Sequence, residues 1–296
     1  MKKIKLNMKG KHILEGYVFV LPLIIGTSAF FLFPLYISIK LSFGHLIKMA
    51  GFQIEWSGVQ NYLRAFIIDA NFVPMFLKVV NQVFTRVPLI IIFSLLLAIL
   101  LNKDIKCRGF FRTVFFIPFL LGTGEVMKQL LGQDVDKQVV SLADGTLIPR
   151  EFLIYLGSNV VNAIDSFFGV IVLVLWNSSV QILLFLSGLQ SIPAPLYESS
   201  KVDGATGWEM FWKITLPMIS PIMLLNIIYT IVDSFTDITN PILPYIQNHA
   251  FSRMMFEYAA AMGWIYFAFI ILLVLLVIGI MNRFTHMTEI KERVKS

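Results

Sequence analysis

Six long apolar blocks constrain what this chain can fold into. They cover residues 17–41, 82–101, 110–131, 167–189, 216–238 and 264–282. A bilayer core of about 30 Å requires about 20 mostly apolar residues in a helix. Backbone groups in hydrocarbon must find hydrogen bonds within their own segment unless a barrel closes, and no alternating strand pattern competes here. The blocks therefore predict an all-α integral membrane protein with six transmembrane helices.

The amino-acid composition also indicates that lipid surrounds these blocks. Hydrophobic residues make up 57% of the 296 residues, whereas an ordinary soluble domain has roughly 45–50%. The single cysteine, Cys107, excludes an internal disulfide or a Cys-rich metal site, and no two of the four histidines have ligand spacing. We expect no metal and no cofactor bound by this chain.

The distribution of basic residues predicts the orientation. With six spans, most of the 24 Lys and Arg residues fall on the side that holds both termini, whereas the loop 132–166 on the other side is rich in Asp and Glu. Cytoplasmic loops are normally the basic ones. We therefore expect residues 1–16 and 286–296 in the cytoplasm, 42–81 as an external loop and 82–285 as a core of five helices. This asymmetry explains the net charge of +6 without a nucleic-acid partner.

The segment 190–216 between the fourth and fifth blocks has the turn and helix-capping residues of a helical hairpin. Pro195 and Glu198 suit the first turns of a short helix that runs to about residue 202. The pair Asp203-Gly204 is typical of a turn. Thr206 and Glu209 have the spacing of a capping box, which predicts a second helix that Pro217 limits or redirects.

Three aromatic side chains share one face of the second helix. Trp208, Phe211 and Trp212 stand at positions i, i+3 and i+4. Such a face needs burial. Two interpretations remain open, namely that the rings rest on the ends of the chain's own spans, or that part of the hairpin docks into a cytoplasmic partner.

The hairpin resembles the EAA loop of ABC importer permeases. In that family E-A-A is followed at fixed spacing by D-G-A and a later proline, and here the matching run is Glu198-Ser-Ser-Lys-Val-Asp203-Gly204-Ala205 with Pro217 downstream. Ser199 and Ser200 replace two alanines, so two hydroxyls on a docking helix need partners or water. Residues 19–43, 58–66 and 111–118 are similar to the first span, outer loop and third span of the maltose-type sugar permeases.

The resemblance implies a type I importer permease in the cytoplasmic membrane of a bacterium. It implies a heterodimer with a second homologous permease, together with two ATP-binding subunits, an external solute-binding protein, a saccharide substrate and the surrounding membrane lipid. ATP and Mg²⁺ belong to the partner, since no GxxxxGK[ST] sequence occurs here. The residues that the resemblance assigns to ATPase coupling are Glu198, Ser199, Ser200, Asp203, Gly204 and Ala205.

Polar residues within the blocks are candidates for the translocation pathway. They are Trp176, Asn177, Gln181, Asn226, Asp233 and Asp237. Amides and aromatic rings commonly hold sugars, but polar side chains also join helices within membranes. The two aspartates lie one turn apart near the outer end of the fifth block, where they line an outer gate or are solvated.

Two rival classes fit six spans less well. A gradient-driven secondary transporter predicts inverted repeats or broken helices and gives no reason for the hairpin at 190–216. A membrane-embedded enzyme needs a clustered nucleophile, metal or acid–base pair, and the sequence has no such constellation. The importer permease therefore remains the favoured hypothesis, and the chain itself is expected not to be an enzyme.

Overall fold

The computed structural model describes residues 8–48, 53–103, 109, 113, 178–237 and 240–293. Side chains are described from residue 16 onward, except at 282 and 284–293. The predicted third span apart from residue 113, the loop 132–166 and the first part of the fourth span lie outside the described residues. The described chain is mostly helical, with one two-stranded antiparallel sheet in this part of the molecule.

Residues 1–77 and 241–269 form one compact unit, here named the terminal unit. Its elements are α1 (Met8–Thr27), a π-helical turn (Ser28–Leu32), α2 (Phe33–Ser42), β1 (Gly44–Lys48), β2 (Gln53–Trp56), α3 (Gln60–Leu63) and a second π-helical turn (Arg64–Ile68). The helix from Gly16 to Ser42 carries apolar side chains that are exposed on nearly all sides, as a helix in contact with lipid requires.

A small polar joint connects the end of α2 to the β-hairpin. The Asn61 side chain donates to the backbone oxygens of Ser42 and Gly44, and the hydroxyls of Ser42 and Tyr62 are 2.8 Å apart. The Phe43 ring stacks on Trp56. These contacts satisfy carbonyls that the end of a helix leaves without partners, and they hold the hairpin at the end of the first span.

The described residues within 78–240 and 270–296 form the second compact unit, here named the central unit. Its elements are most of α4 (Phe72–Asn102), α5 (Ser179–Gln190), α6 (Ala194–Val202), α7 (Gly207–Met210), a π-helical turn (Phe211–Thr215), α8 (Leu216–Met218), α9 (Ser220–Thr236) and the later part of a long C-terminal helix. In the terminal unit, α10 (Ile242–Gln247) and the π-helical turn Asn248–Ser252 precede that helix, α11 (Phe256–Arg293).

Close packing between α5 and α9 depends on a glycine. A β-carbon at Gly188 would come within 3.1–3.2 Å of three side-chain atoms of Ile222. Gln181, Ile182 and Phe185 on the same helix are almost fully buried. Small residues let membrane helices approach closely, so van der Waals contact can join them where the hydrophobic effect does not act.

Three described helices are long and apolar enough to cross a membrane: Gly16–Ser42, Phe72–Asn102 and Phe256–Met281. Two further candidates are helix pairs, α5 with α6, bent by 64°, and Gly207–Met218 with Ser220–Thr236, bent by 68°. The described helices extend beyond the predicted blocks, since α4 begins at Phe72 and α11 at Phe256. Hydropathy locates only the part of a helix that lies in lipid.

The bend before α9 lies beyond Pro217, the residue that the sequence analysis expected to limit or redirect the helix. The chain stays helical through Pro217 and leaves helical geometry at Ile219, where ψ is 0°. Pro221, in the first turn of α9, has no N–H to donate to the Pro217 carbonyl, so the helical ladder is interrupted there. Pro217 alone does not redirect the chain.

Candidate functional site

The first helix of the hairpin, α6, is largely exposed. It contains no buried residue, and Glu198 and Ser199 are exposed. The hydroxyls of Ser199 and Ser200 both donate to the backbone oxygen of Leu196, at 3.2 and 2.9 Å. The two serines that replace alanines therefore donate their hydroxyl hydrogens within the helix.

The turn after α6 is a Schellman motif centred on glycine. The N–H of Ala205 donates to the Ser200 carbonyl and that of Gly204 to the Lys201 carbonyl, at 2.9 and 3.1 Å. Gly204 has φ +79°, the left-handed conformation that favours glycine at this position. The turn predicted from Asp203-Gly204 is thus confirmed, and its hydrogen bonds give it a defined geometry.

The second helix begins with the predicted capping box. The Thr206 hydroxyl accepts from the backbone N–H of Glu209 at 3.3 Å, and the Glu209 carboxylate accepts from the N–H of Thr206 at 2.9 Å. The N–H and the hydroxyl of Thr206 both donate to this carboxylate at 2.9 Å, and these two hydrogen bonds, followed by the charge of Lys213 at 3.7 Å, lower the pKa of Glu209. The carboxylate is therefore ionised at neutral pH and complements the positive end of the helix dipole.

One hydrogen bond joins the two helices of the hairpin. The hydroxyls of Tyr197 and Thr215 are 2.8 Å apart, and Thr215 lies at the end of the π-helical turn, where its hydroxyl also reaches the Met210 carbonyl. Because the two helices share this contact, they can move together. A cavity of about 240 Å³ beneath them is lined by Tyr197, Phe211 and the end of α4 near Asn102.

The aromatic face of the second helix is not buried as a whole. Trp208 is 70% exposed and Trp212 is 50% exposed, whereas Phe211 is partly buried and lines the cavity. The described residues therefore leave much of both tryptophan side chains uncovered, and the two interpretations of this face stay open for them. The rings still contact one another, with centroids 5.4–6.2 Å apart.

Two of the predicted pathway residues meet in a buried polar contact. The Asn226 amide donates to the backbone oxygen of Gln181 at 3.0 Å, and the Gln181 amide donates to the Thr230 hydroxyl at 3.3 Å. All three side chains are at most 1% exposed. Within the described part of the chain, the side-chain oxygens of Gln181 and Asn226 have no hydrogen-bond partner. The contact joins α5 to α9 inside the central unit.

The two aspartates have different surroundings. Asp233 is exposed on α9, while Asp237 lies just after that helix and lines a small polar cavity with Gln82, Arg86 and Asn240. The cavity has room for about one water molecule, about 10 Å³. Sequence reasoning missed Arg86, although a lone arginine inside the apolar block 82–101 was the available signal. Trp176 and Asn177 lie outside the described residues.

A second polar cluster that the sequence did not reveal holds the terminal unit together. Asp69 accepts hydrogen bonds from the hydroxyls of Tyr245 and Tyr258 and from the backbone N–H groups of Asn71 and Phe72. Burial by itself would raise the pKa of Asp69, but these four donors together outweigh it and lower that pKa. Burial, followed by the hydrogen bond to Asp69, raises the pKa of Tyr245 to about 12.

Cationic and ring contacts surround this cluster. The Arg64 guanidinium lies over the Tyr258 ring, 4.6 Å from its centroid. His249 is buried, with Nδ1 3.0 Å from the Tyr245 carbonyl and Nε2 3.1 Å from the Arg253 guanidinium. A carbonyl only accepts and a guanidinium only donates, so Nδ1 donates and Nε2 accepts in this arrangement.

The fold and the hairpin define a class of protein, a multi-pass membrane protein with a helical hairpin between the apolar helices α5 and α9. Residues 67–288 match the family described as "Binding-protein-dependent transport system inner membrane component". This match covers most of the chain, and the chain belongs to that family. It is therefore a membrane component of a transport system that depends on a solute-binding protein.

Relatives and solved structures agree with this family. The chain is 26% identical over 295 residues to the "Probable ABC transporter permease protein YesP" of Bacillus subtilis, covering 93% of each chain. It is 28% identical to the "Trehalose/maltose transport system permease protein MalF" of Thermococcus litoralis over 233 residues, which is 77% of this chain and 76% of the relative.

A solved bacterial ABC transporter that imports the acidic polysaccharide alginate contains a chain of the same fold. The TM-score is 0.62 at 20% identity, with 93% of this chain and 97% of the other covered. The predicted type I importer permease fold is thereby confirmed.

Proposed function

We propose that this chain is the permease subunit of an ATP-driven importer that carries a sugar or oligosaccharide into a bacterial cell. Two observations support the substrate class. Sugar-transport permeases recur among the relatives, including the arabinooligosaccharide permease AraP of Bacillus subtilis and the lactose permease LacF of Rhizobium radiobacter. The fold is shared with an importer of a polysaccharide.

The hairpin couples this subunit to ATP hydrolysis. The observation that carries the proposal is the exposed helix α6, whose Glu198 face is free in the described chain and whose turn is closed by the Gly204 Schellman motif. A rigid-body motion passes from one subunit to another only through a well-packed joint. The Tyr197–Thr215 hydrogen bond provides the internal tie that passes a push on α6 to the helix leading into α9.

The division of labour places ATP chemistry on other chains. This chain has no phosphate-binding loop in its sequence, so two ATP-binding subunits bind ATP and Mg²⁺, and a second homologous permease completes the pathway. Both termini and the hairpin face the cytoplasm, and the β-hairpin with the Asp69 cluster faces outward, toward the solute-binding protein. The basic segments of the chain support this orientation.

The translocation pathway runs along the central unit. Arg86 and Gln82, beside Asp237, carry hydrogen-bonding groups of the kind that hold saccharide hydroxyls, and the one-water cavity that they line must widen before a sugar can reach them. Gln181 and Asn226 line this route only if α5 and α9 separate, since both are buried between those helices. Exchanging Arg86→Gln should raise the KM for transport, and Lys78→Gln, an exposed cation on the same helix, is the matched control.

Gly204 and Gly207 allow a direct test of the coupling. Pro cannot adopt φ +79° and removes the N–H that bonds to the Lys201 carbonyl. Gly204→Pro should therefore leave the assembled complex in the membrane but abolish solute-stimulated ATP hydrolysis. Gly207 is the first residue of α7, where proline is favoured, so Gly207→Pro should retain stimulation.

Unchanged stimulation in the Gly204→Pro complex would contradict the coupling role. The rival class, a gradient-driven transporter, predicts that the purified chain moves solute without any ATP-binding subunit. The saccharide for these assays comes from screening the purified binding protein of the intact complex against a glycan panel. Solute movement by the isolated chain under an ion gradient would favour the rival.

A further inference from the structure

Two tryptophans form an exposed pair on the second helix of the hairpin. Trp208 and Trp212 are one turn apart, 70% and 50% exposed, and their rings meet edge to face with centroids 5.6 Å apart. Phe211 points instead into the cavity beneath the hairpin. The two indole rings therefore contribute little to the described core and present a preformed aromatic surface.

The direction of this helix brings the pair to the level of the bilayer surface. Gly207–Met218 meets the apolar helix Ser220–Thr236 at 68°. Transmembrane helices tilt by about 20° on average from the bilayer normal. A helix joined to such a span at 68° runs close to the membrane plane, and its connection at residue 219 keeps it near the edge of the hydrocarbon.

The outward surface of the helix has the chemistry of a membrane interface. Met218 at its end is 47% exposed, and Leu225, two turns further into the apolar helix, is 51% exposed. The Lys213 side chain beside Trp212 is 76% exposed and paired only loosely with Glu209. Tryptophan is enriched at bilayer interfaces because its ring is apolar and its N–H is polar, and lysine reaches the phosphate layer with its long stem.

We propose that Trp208 and Trp212 anchor the second helix of the hairpin in the headgroup layer of the lipid bilayer, with Lys213 beside a lipid phosphate. The anchor fixes the height and tilt of the hairpin relative to the membrane. When α6 moves, the hairpin then rotates about the line through Trp208 and Trp212 instead of moving away from the membrane surface. The proposal holds for either leaflet, so it does not depend on the proposed orientation of the chain.

A protein surface is the competing occupant, because tryptophan is also common at the centre of protein interfaces. The structure favours lipid for a positional reason. The tryptophan pair lies on the segment that continues into the apolar helix, whereas the exposed helix α6, with Val202 88% exposed and Glu198 free, offers a separate face to a partner. Each occupant makes a different prediction for tryptophan fluorescence.

Brominated lipids quench tryptophan fluorescence on contact, so they report the depth of each ring. The assembled complex, carrying only Trp208, only Trp212 or only Trp56 in this subunit, would be placed in nanodiscs with bromine near the headgroup end or near the methyl end of the acyl chains. Both tryptophans should lose most of their emission with the shallow bromine and less with the deep bromine. Trp56, stacked on Phe43 in the β-hairpin, is the control and should change least.

Emission from Trp208 and Trp212 that is indifferent to bromine in either position would overturn the proposal. A blue shift on adding the ATP-binding subunits, without lipid quenching, would assign the pair to a protein interface instead. If the multiply substituted proteins do not assemble, Trp212→Phe alone suffices. The bromine-sensitive share of the emission should fall relative to the unsubstituted complex, and an unchanged share would also contradict the anchor.

Discussion

Single residues set the geometry of the hairpin and of the Asp69 cluster. Within the hairpin, residues 190–216, only Gly204 has a positive φ, and a β-carbon there would meet no other atom within 4 Å. A substitution at this residue therefore acts through backbone strain alone. In the terminal unit, Asp69 gathers four donors from three segments of the chain.

Gly204→Ala should loosen the turn after α6. A non-glycine residue in the left-handed region costs about 1–2 kcal/mol, so the amides of Gly204 and Ala205 should exchange hydrogen roughly tenfold faster. Hydrogen exchange followed by mass spectrometry on the intact protein measures this. Gly207→Ala, at a helical position with equally open surroundings, should leave the exchange unchanged, and equal effects at both glycines would refute the assignment.

Asp69 should make the stability of the terminal unit depend on pH. Because its pKa is lowered in the folded state, the unfolded chain takes up the proton first as the pH falls. The stabilisation is complete above about pH 4, the usual range of an aspartate, and is lost as the pH falls through the lower, folded pKa. Thermal unfolding in detergent from neutral to acid pH should show this loss.

Substituting Asp69 separates its role from general acid denaturation. Asp69→Ala leaves several donors unpaired and should cost about 2–3 kcal/mol at neutral pH. As the pH is lowered, the unfolding temperature of the Asp69→Ala variant should also fall less steeply than that of the unsubstituted protein. Glu55→Gln, an exposed carboxylate on the β-hairpin, is the matched control and should retain the full pH dependence.

At the scale of elements, local signals predicted well and long-range contacts did not. The capping box, the Asp203-Gly204 turn and the extent of α6 depend on neighbours within a few residues, and all appear in the structure. The Asp69 cluster joins residues more than 170 positions apart, so no local pattern indicates it. The exposure of Trp208 also escaped prediction, because an aromatic stripe on a helix shows that a face needs cover but not what covers it.

The contact between α5 and α9 should depend on Gly188. A β-carbon there would press on Ile222 at 3.1–3.2 Å, and overpacking in a close contact typically costs about 1–3 kcal/mol. Gly188→Ala should therefore lower the unfolding temperature measured in detergent. Gly263→Ala on α11, with nothing within 4 Å, should be neutral or slightly stabilising because alanine favours a helix. A loss of stability at both sites would show that the packing argument is wrong.

At the scale of the whole molecule, the sequence predicted the class of protein but not the full extent of its helices. Hydropathy identifies the most apolar part of α4 and α11, whereas α4 runs from Phe72 to Asn102 and α11 from Phe256 to Arg293, beyond the predicted blocks. The family match and the shared fold show a binding-protein-dependent permease. The direction in which the hairpin faces is the physical claim on which energy coupling depends.

Sided labelling of the hairpin tests that claim most directly. Lys201 is exposed on α6, and Cys107 is the single cysteine, so Lys201→Cys in a Cys107→Ser background gives one reactive thiol. In spheroplasts with an intact cytoplasmic membrane, a membrane-impermeant maleimide should leave this thiol unlabelled until that membrane is permeabilised. Labelling of the thiol in the intact spheroplasts would place the hairpin outside and contradict coupling to a cytoplasmic ATPase.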